Sequence, residues 1–267
     1  MAKVKDLILI MQAIAPEQYT YDRDYDNVGL MVGDEQTEVT KVLCCLDVTE
    51  HVLDEAIAVG AQLIISHHPM IFGGIKNVTA SSSLGKKIIK AIKNGISVYS
   101  AHTNLDFVKG GINDYLAELL NLTDVVPLEP YISAQEGFGR IGNIKETTAK
   151  ALKEFLMQVL DDDYISIIGE PDALINRIAI INGAGGGDIA HFNLAKKLGA
   201  DSFLTGEVKH HVAIFARENG ITVFDAQHFT LEHVYISRLV EILKTKLIEN
   251  NCFVDIMQSQ SEVNPRF

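Results

Sequence analysis

A chain of 267 residues, 47% hydrophobic and 22% charged, has the balance of a globular protein with room for two modest lobes or one large domain. Its formal net charge of −12 disfavours nonspecific attraction to nucleic acid or anionic lipid, both of which require a basic face. No apolar stretch reaches the roughly 18 residues of a membrane span. Cys44, Cys45 and Cys252 lack Cys-x-x-Cys spacing and read as core thiols in a reducing cytosol, so the expected location is cytoplasmic.

The chain opens on an amphipathic helix with Val4, Leu7, Ile8, Met11 and Ile14 on one face, interrupted as a signal peptide by Asp6 and Gln12 and ending before Pro16. Tyr25 to Asp34 follows as a turn, a strand and a turn, with Asp26 and Asn27 as capping residues. A strand over 41–47 leads to a helix with apolar Val52, Leu53, Ala56, Ile57 and Val59 that closes at Gly60. The apolar run Gln62 to Ile65 then reads as a short buried parallel strand and delivers Ser66-His67-His68-Pro69 at its carboxyl end. Ligands bind at such ends in open α/β sheets. Adjacent side chains on a continuing strand point to opposite faces, so both histidines serve one site only if the backbone turns, as Pro69 encourages. Taken alone, a His-His-Pro in a loop is more often a solvated turn than a metal site.

Residues 70–84 read as a polar surface excursion, Leu84 to Lys93 as a basic helix and Ile96 to Ala101 as a strand that delivers His102-Thr103-Asn104-Leu105-Asp106. Val126 to about Asn143 reads as a connection between halves, passing into a short strand near Gly139. A helix through Ala151 to Val159, strands near 164–168 and 177–182, and the loop Gly183 to Gly187 come next. That loop could bind an anion through backbone N–H groups, or it could be a tight turn capped by Asp188; His191 behind it reads as an exposed helical residue. After the strand at 203–205 and the Glu207 to His211 turn, a last strand ends at Asp225-Ala226-Gln227-His228, and a long amphipathic helix runs to about Glu249. His228 and Glu232, four apart, share a face of that helix and can reach one ion.

An internal repeat binds these pieces together. Asn94-Gly95-Ile96-Ser97-Val98-Tyr99-Ser100-Ala101 aligns without a gap on Asn219-Gly220-Ile221-Thr222-Val223-Phe224-Asp225-Ala226, and Gly60-Ala61 has its counterpart in Gly199-Ala200. Each half offers helix, Gly-Ala, strand, polar turn, helix, Asn-Gly-Ile, strand and polar cluster, the pattern of two related α/β lobes built from parallel units. The expected division is 1–125, carrying His67, His68, His102 and Asp106, and 126–267, carrying His228 and Glu232. If the lobes face one another, these six residues converge on a shared cleft. Their imidazoles and carboxylates suit two divalent ions with one carboxylate bridging.

With the Asp26-Asn27-Val28-Gly29-Leu30 segment, Ser66 to Pro69, His102 to Asp106, Thr205 to His211 and His228 to Glu232, the chain resembles the Nif3-like family, whose members are labelled GTP cyclohydrolase 1 type 2 homologs. The resemblance implies a dinuclear metal centre with His67, His68, Asp106, His228 and Glu232 as ligands, Glu232 bridging and His102 beside the metals as a proton shuttle. It also implies assembly into a ring-shaped homohexamer. The extra domain found between the halves of some members does not fit in this chain's short connection, so its function does not transfer. The reaction expected from the resemblance is metal-assisted hydrolysis, with GTP opened at C8 of its imidazole ring and Asn27, Lys209, His210 or His211 touching the substrate. A phosphoesterase acting on a small anionic substrate and a non-enzymatic metal-binding or regulatory ring protein stay open as alternatives. The mixed ligand set accepts zinc, manganese, iron or cobalt.

Overall fold

The computed structural model describes residues 1–21 and 24–266. After a two-residue strand β1 (Ala2–Lys3), helix α1 (Val4–Ile14) buries Val4, Leu7, Ile10 and Met11, so Ile10 joins Val4, Leu7 and Met11 on the buried face while Ile8 and Ile14 are half-buried. Strands β2 (Gly29–Val32), β3 (Glu38–Val39) and β4 (Lys41–Cys45) follow, then helix α2 (Glu50–Val59), strand β5 (Leu63–Ser66), helix α3 (Ser83–Lys93) and strand β6 (Ser97–Ser100). Local chemistry sets the ends of these helices. Thr49 and Ser82 accept from Val52 N and Gly85 N at the starts of α2 and α3, and Gly60 closes α2 in the left-handed region.

The middle of the chain supplies α4 (Thr103–Phe107), α5 (Ile112–Leu119), β7 (Thr123–Val126), the hairpin β8 (Glu129–Ser133) and β9 (Glu136–Phe138), and the long strand β10 (Arg140–Thr148). It continues through α6 (Ala149–Leu160), β11 (Ser166–Ile168), β12 (Leu174–Ile181), α7 (Ile189–Lys197), β13 (Ser202–Thr205), α8 (His210–Glu218) and β14 (Thr222–Asp225). Helix α9 (His228–Glu249) and strand β15 (Asp255–Gln258) end the order. The stretch from 126 to 143, which reads as a connection, thus contains β8, β9 and the start of β10. These strands lack an apolar run because β8 is largely exposed and β10 is buried mainly over its first three residues.

The chain falls into two compact units, Met1–Leu105 with Ile236–Phe267, and Asp106–Tyr235. This differs from a division at 125 and 126. The physical reason is that β15 pairs with β4, which returns the end of the chain to the first unit, and Asp106 falls in the second. The first unit's five-stranded sheet has the order β15-β4-β5-β6-β2, with β2 antiparallel to β6 and the others parallel. Its core gathers Leu43, Val52, Leu53, Ile64, Ile88 and Val98. The second unit's six-stranded sheet has the order β11-β14-β13-β12-β10-β7, with β12, β13 and β14 parallel and β11 antiparallel to β14. Phe192, Phe203, Ile181, Val212 and Val223 pack its core. Among the described residues no helix is long and apolar enough to cross a membrane.

The sequence repeat is therefore a repeat of topology. β4-α2-β5-α3-β6 corresponds to β12-α7-β13-α8-β14, and each run carries an antiparallel neighbour on its last strand. The shared Asn-Gly pair ends α3 and α8 in the same way. Asn94 and Asn219 donate side-chain N–H to the carbonyls of Lys90 and Phe215, at 2.8 and 2.9 Å, and Gly95 and Gly220 take φ of 66° and 67°. A Cβ at either glycine meets nothing within 4 Å, so alanine there carries the backbone cost alone. Gly95→Ala and Gly220→Ala should each cost about 1 kcal/mol and add in the double variant. Urea denaturation checks this, and two unequal losses would separate the turns energetically.

Candidate metal centre

In the first unit, register brings the ends of three parallel strands level, with Cys45 opposite Ser66 and Ser66 opposite Ser100. The ladder continues past β5, because His67 N donates to Cys45 O at 3.1 Å and His68 N to Leu46 O at 2.9 Å. Ser66 Oγ then donates to the His68 carbonyl at 2.8 Å, which draws the chain into the turn that the paired histidines require. His67, His68 and His102 form one group, with ring centroids 5.1, 5.2 and 5.7 Å apart and one ligand atom from each within 4.8 Å of the others. His67 is fully buried; the other two are half-buried.

Each ring of this group is held by Nδ1. His67 Nδ1 meets the Ala101 carbonyl at 2.9 Å, His68 Nδ1 meets Asp47 Oδ1 at 2.9 Å, and His102 Nδ1 meets Asp26 Oδ1 at 2.6 Å. A carbonyl or carboxylate oxygen accepts, so Nδ1 carries the proton and the neutral ring presents its lone pair on Nε2. A buttressed imidazole of this kind is how proteins orient histidine ligands. Strand geometry explains the partners. Asp47 and His68 each lie two residues past the paired ends of β4 and β5, whereas Asp26 precedes β2, whose antiparallel pairing sets Gly29 opposite Ser100 beside the exit of β6. Burial pushes the Asp26 carboxyl up, and hydrogen bonds from His102, Thr103 and the Asn27 backbone outweigh it, leaving Asp26 below its ordinary range.

In the second unit, His228 opens α9 and lies one turn from Glu232, with Nε2 to Oε2 at 3.0 Å. Its Nδ1 meets Glu207 Oε1 at 3.0 Å, the same buttress again, supplied from two residues past β13. Asn182, the residue after β12, ties the carboxylates together by donating through Nδ2 to Asp106 Oδ1 at 2.8 Å and to Glu232 Oε1 at 3.0 Å. Asn113 fixes that amide from behind: its Nδ2 donates to Asn182 Oδ1 at 2.7 Å and its Oδ1 accepts from Asn182 N at 3.0 Å. Asn113, Asn182, Asp106 and Glu232 are all buried. Gly183 leaves room for this group, since a Cβ there would lie 2.4 Å from Glu232 Oε1 and 3.2 Å from His228 Nε2.

The six residues singled out from sequence thus divide between the units, His67, His68 and His102 in one group and Asp106, His228 and Glu232 in the other. The donor set fits divalent cations of borderline hardness, because it offers oriented imidazole nitrogens and buried carboxylates while Gly183 leaves space at Glu232 and His228. The other candidates lie outside these two groups. Asn27 donates to Ile71 O at 2.7 Å, Lys209 precedes α8, and His210 and His211 stand exposed on its first turn. Gly183–Gly187 is a 3-10 turn, and Asp188 caps α7 by accepting from Ala190 N. His191 is half-buried rather than exposed, with Nδ1 2.9 Å from Gly185 O and its ring against Phe138. Asp26, Asp47, Glu207, Asn113 and Asn182 are the functional residues that sequence reasoning missed or gave no such role. The available signal was the position of Asp47, Asn182 and Glu207 just past strand ends.

The family model described as Duf34/NIF3 (NGG1p interacting factor 3) matches residues 2–265. The chain is 38% identical to the GTP cyclohydrolase 1 type 2 homolog of Clostridium perfringens over 92% of each chain. It is 36% identical to the protein of the same name from Clostridium acetobutylicum, over 98% of this chain and 97% of that one. Its fold is similar to the crystal structure of a Bacillus cereus protein related to NIF3, with a TM-score of 0.92, 26% identity and coverage of 100% of this chain and 99% of that chain.

Proposed function

This chain belongs to the Duf34/NIF3 family, and from that premise we propose that it is a hydrolase dependent on two divalent ions, held by His67, His68, Asp106, His228 and Glu232. The observation that carries this reading is the common posture of the imidazoles. His67, His68, His102 and His228 all have Nδ1 against a carbonyl or carboxylate oxygen, the arrangement that presents Nε2 as a ligand. When bound, divalent ions supply Lewis acidity and acidify water.

His102 is assigned to proton transfer. With Nδ1 held by Asp26, its Nε2 can take a proton from a nucleophile and return it to a leaving group, and the Asp26 carboxylate steadies the imidazolium formed between those steps. Asn182 keeps Asp106 and Glu232 aligned by donating to both. The name shared by the curated relatives favours GTP as substrate. Hydrolysis would then open the guanine imidazole ring at C8 and release formate, in the cytoplasm and within a ring-shaped homohexamer.

The test is metal analysis of protein purified without chelator, alongside His68→Ala, followed by incubation with GTP and assay of formate. The expected result is about two ions per wild-type chain, a clear loss in the variant, and formate release that follows the metal content. Wild type carrying two ions but releasing no formate would keep the centre and discard GTP, directing the search to phosphoesters. Wild type with no ions after incubation with zinc, manganese, iron or cobalt would overturn the proposal.

A further inference from the structure

The tail of the chain returns to the end of β4. The Glu262 carboxylate accepts from Leu46 N at 2.9 Å and from Asp47 N at 2.8 Å, both through Oε1, while Oε2 lies 3.1 Å from Leu46 N. Both N–H groups lead directly to His68. Leu46 is fully buried, and its carbonyl accepts from His68 N; the Asp47 carboxylate holds His68 Nδ1. One side chain from the tail therefore fixes both the link to the His68 backbone and the link to its imidazole.

The tail reaches this place in a defined register. Ser259 N donates to Cys44 O at 2.8 Å, continuing the pairing of β15 with β4. Glu55 of α2 then takes four donors from the next residues, Ser259 Oγ at 2.6 Å, Gln260 N at 2.9 Å, Ser261 N at 3.1 Å and Ser261 Oγ at 2.7 Å. Such a saturated carboxylate anchors 259–261, so Glu262 arrives at the Leu46–Asp47 turn already positioned.

We infer that Glu262 is a positioning residue for His68, and that its carboxylate sets how tightly the first unit's histidines hold a divalent ion. The inference rests on the metal-centre reading above. It assigns the tail to the site although no tail atom belongs to the proposed ligand set. The charges facing Glu262 give the arrangement a second signature. Burial pushes its carboxyl up, the Leu46 and Asp47 N–H groups and His68 pull it down, Asp47 pushes it further up, and the balance lies at about 7. Glu55 and the Cys44 and Cys45 thiols face the same region, the thiols held protonated by burial. A cation beside His68 favours the ionised form of Glu262, so uptake near neutral pH releases a proton from it and affinity climbs with pH across that range.

The experiment is zinc titration of the metal-free full-length chain against a competing chelator at pH 6, 7 and 8. Wild type, Glu262→Gln, Glu262→Asp and Ser261→Ala are compared, with thermal melts to establish that each is folded. Glu262→Gln should bind zinc about tenfold more weakly at pH 8 with a shallower pH dependence, Glu262→Asp should recover part of the affinity, and Ser261→Ala, which removes one donor to Glu55 and leaves the other three and the Glu262 contacts in place, should bind as wild type. Folded Glu262→Gln with wild-type affinity and pH dependence overturns the positioning role while leaving the centre intact. Equal weakening in Ser261→Ala overturns it too, in favour of general tail stability. Wild type that takes up no zinc, manganese, iron or cobalt overturns the metal-centre reading and this inference with it.

Discussion

Saturating zinc should raise the melting temperature of the wild-type chain by about 10 °C and that of Glu232→Gln by only a few degrees. The first figure follows from linkage: at a thousandfold excess over Kd, binding to the folded state alone contributes about 4 kcal/mol, and about 2–4 °C per kcal/mol is typical for chains of this size. Glu232 is 3% exposed. The glutamine amide oxygen can still accept from Asn182, so the local structure has a near-isosteric replacement, but the anionic donor is gone. A hundredfold loss of affinity would remove about 2.7 kcal/mol of the linkage. Differential scanning calorimetry of both proteins with and without zinc checks the prediction. Equal shifts would remove Glu232 from the ligand set.

Arg140→Met should destabilise the folded chain by about 3–5 kcal/mol without lost metal contacts to explain it. Arg140 is 1% exposed at the start of β10, where its guanidinium pairs with Asp114 and donates to Gly137 O at 2.9 Å, Gly139 O at 2.7 Å and Val108 O at 3.1 Å. Methionine preserves much of the apolar stem but leaves those carbonyls and the carboxylate without their donor, and that penalty outweighs any gain in packing. Adding Asp114→Leu should restore part of the loss, because removing both partners avoids a stranded charge. Urea denaturation of the single and double variants measures both effects. A single variant within 1 kcal/mol of wild type would mean that water satisfies these groups.

Much of the chemistry was legible because it is written at strand ends. The apolar run before His67 and the duplicated Asn-Gly-Ile strands mark β5, β6 and β14, so the candidate ligands could be located without knowing the sheets. Their buttresses could not. Asp47 meets His68 only because β4 and β5 pair with Cys45 opposite Ser66, and Asp26 meets His102 only because β2 runs antiparallel to β6. Register is a property of two strands, and neither sequence alone specifies it. Asn182 looked like the last residue of a strand; its role depends on Asn113, which lies 69 positions away. The same limitation hid β15, a four-residue strand whose partner lies at the other end of the chain.

That partnership has a bearing on how the protein is made. The second unit is continuous, whereas the first waits for the end of the chain, with Glu262 meeting Leu46 across 216 positions. At ribosomal speeds of about 5–20 residues per second, β4 emerges roughly 10–40 s before the segment that will cover its edge. During that interval one side of an apolar strand offers unsatisfied backbone groups to any passing chain. The nascent protein is then most exposed to mispairing at β4, and a truncated translation product would keep that edge open, making it a natural point for chaperone engagement.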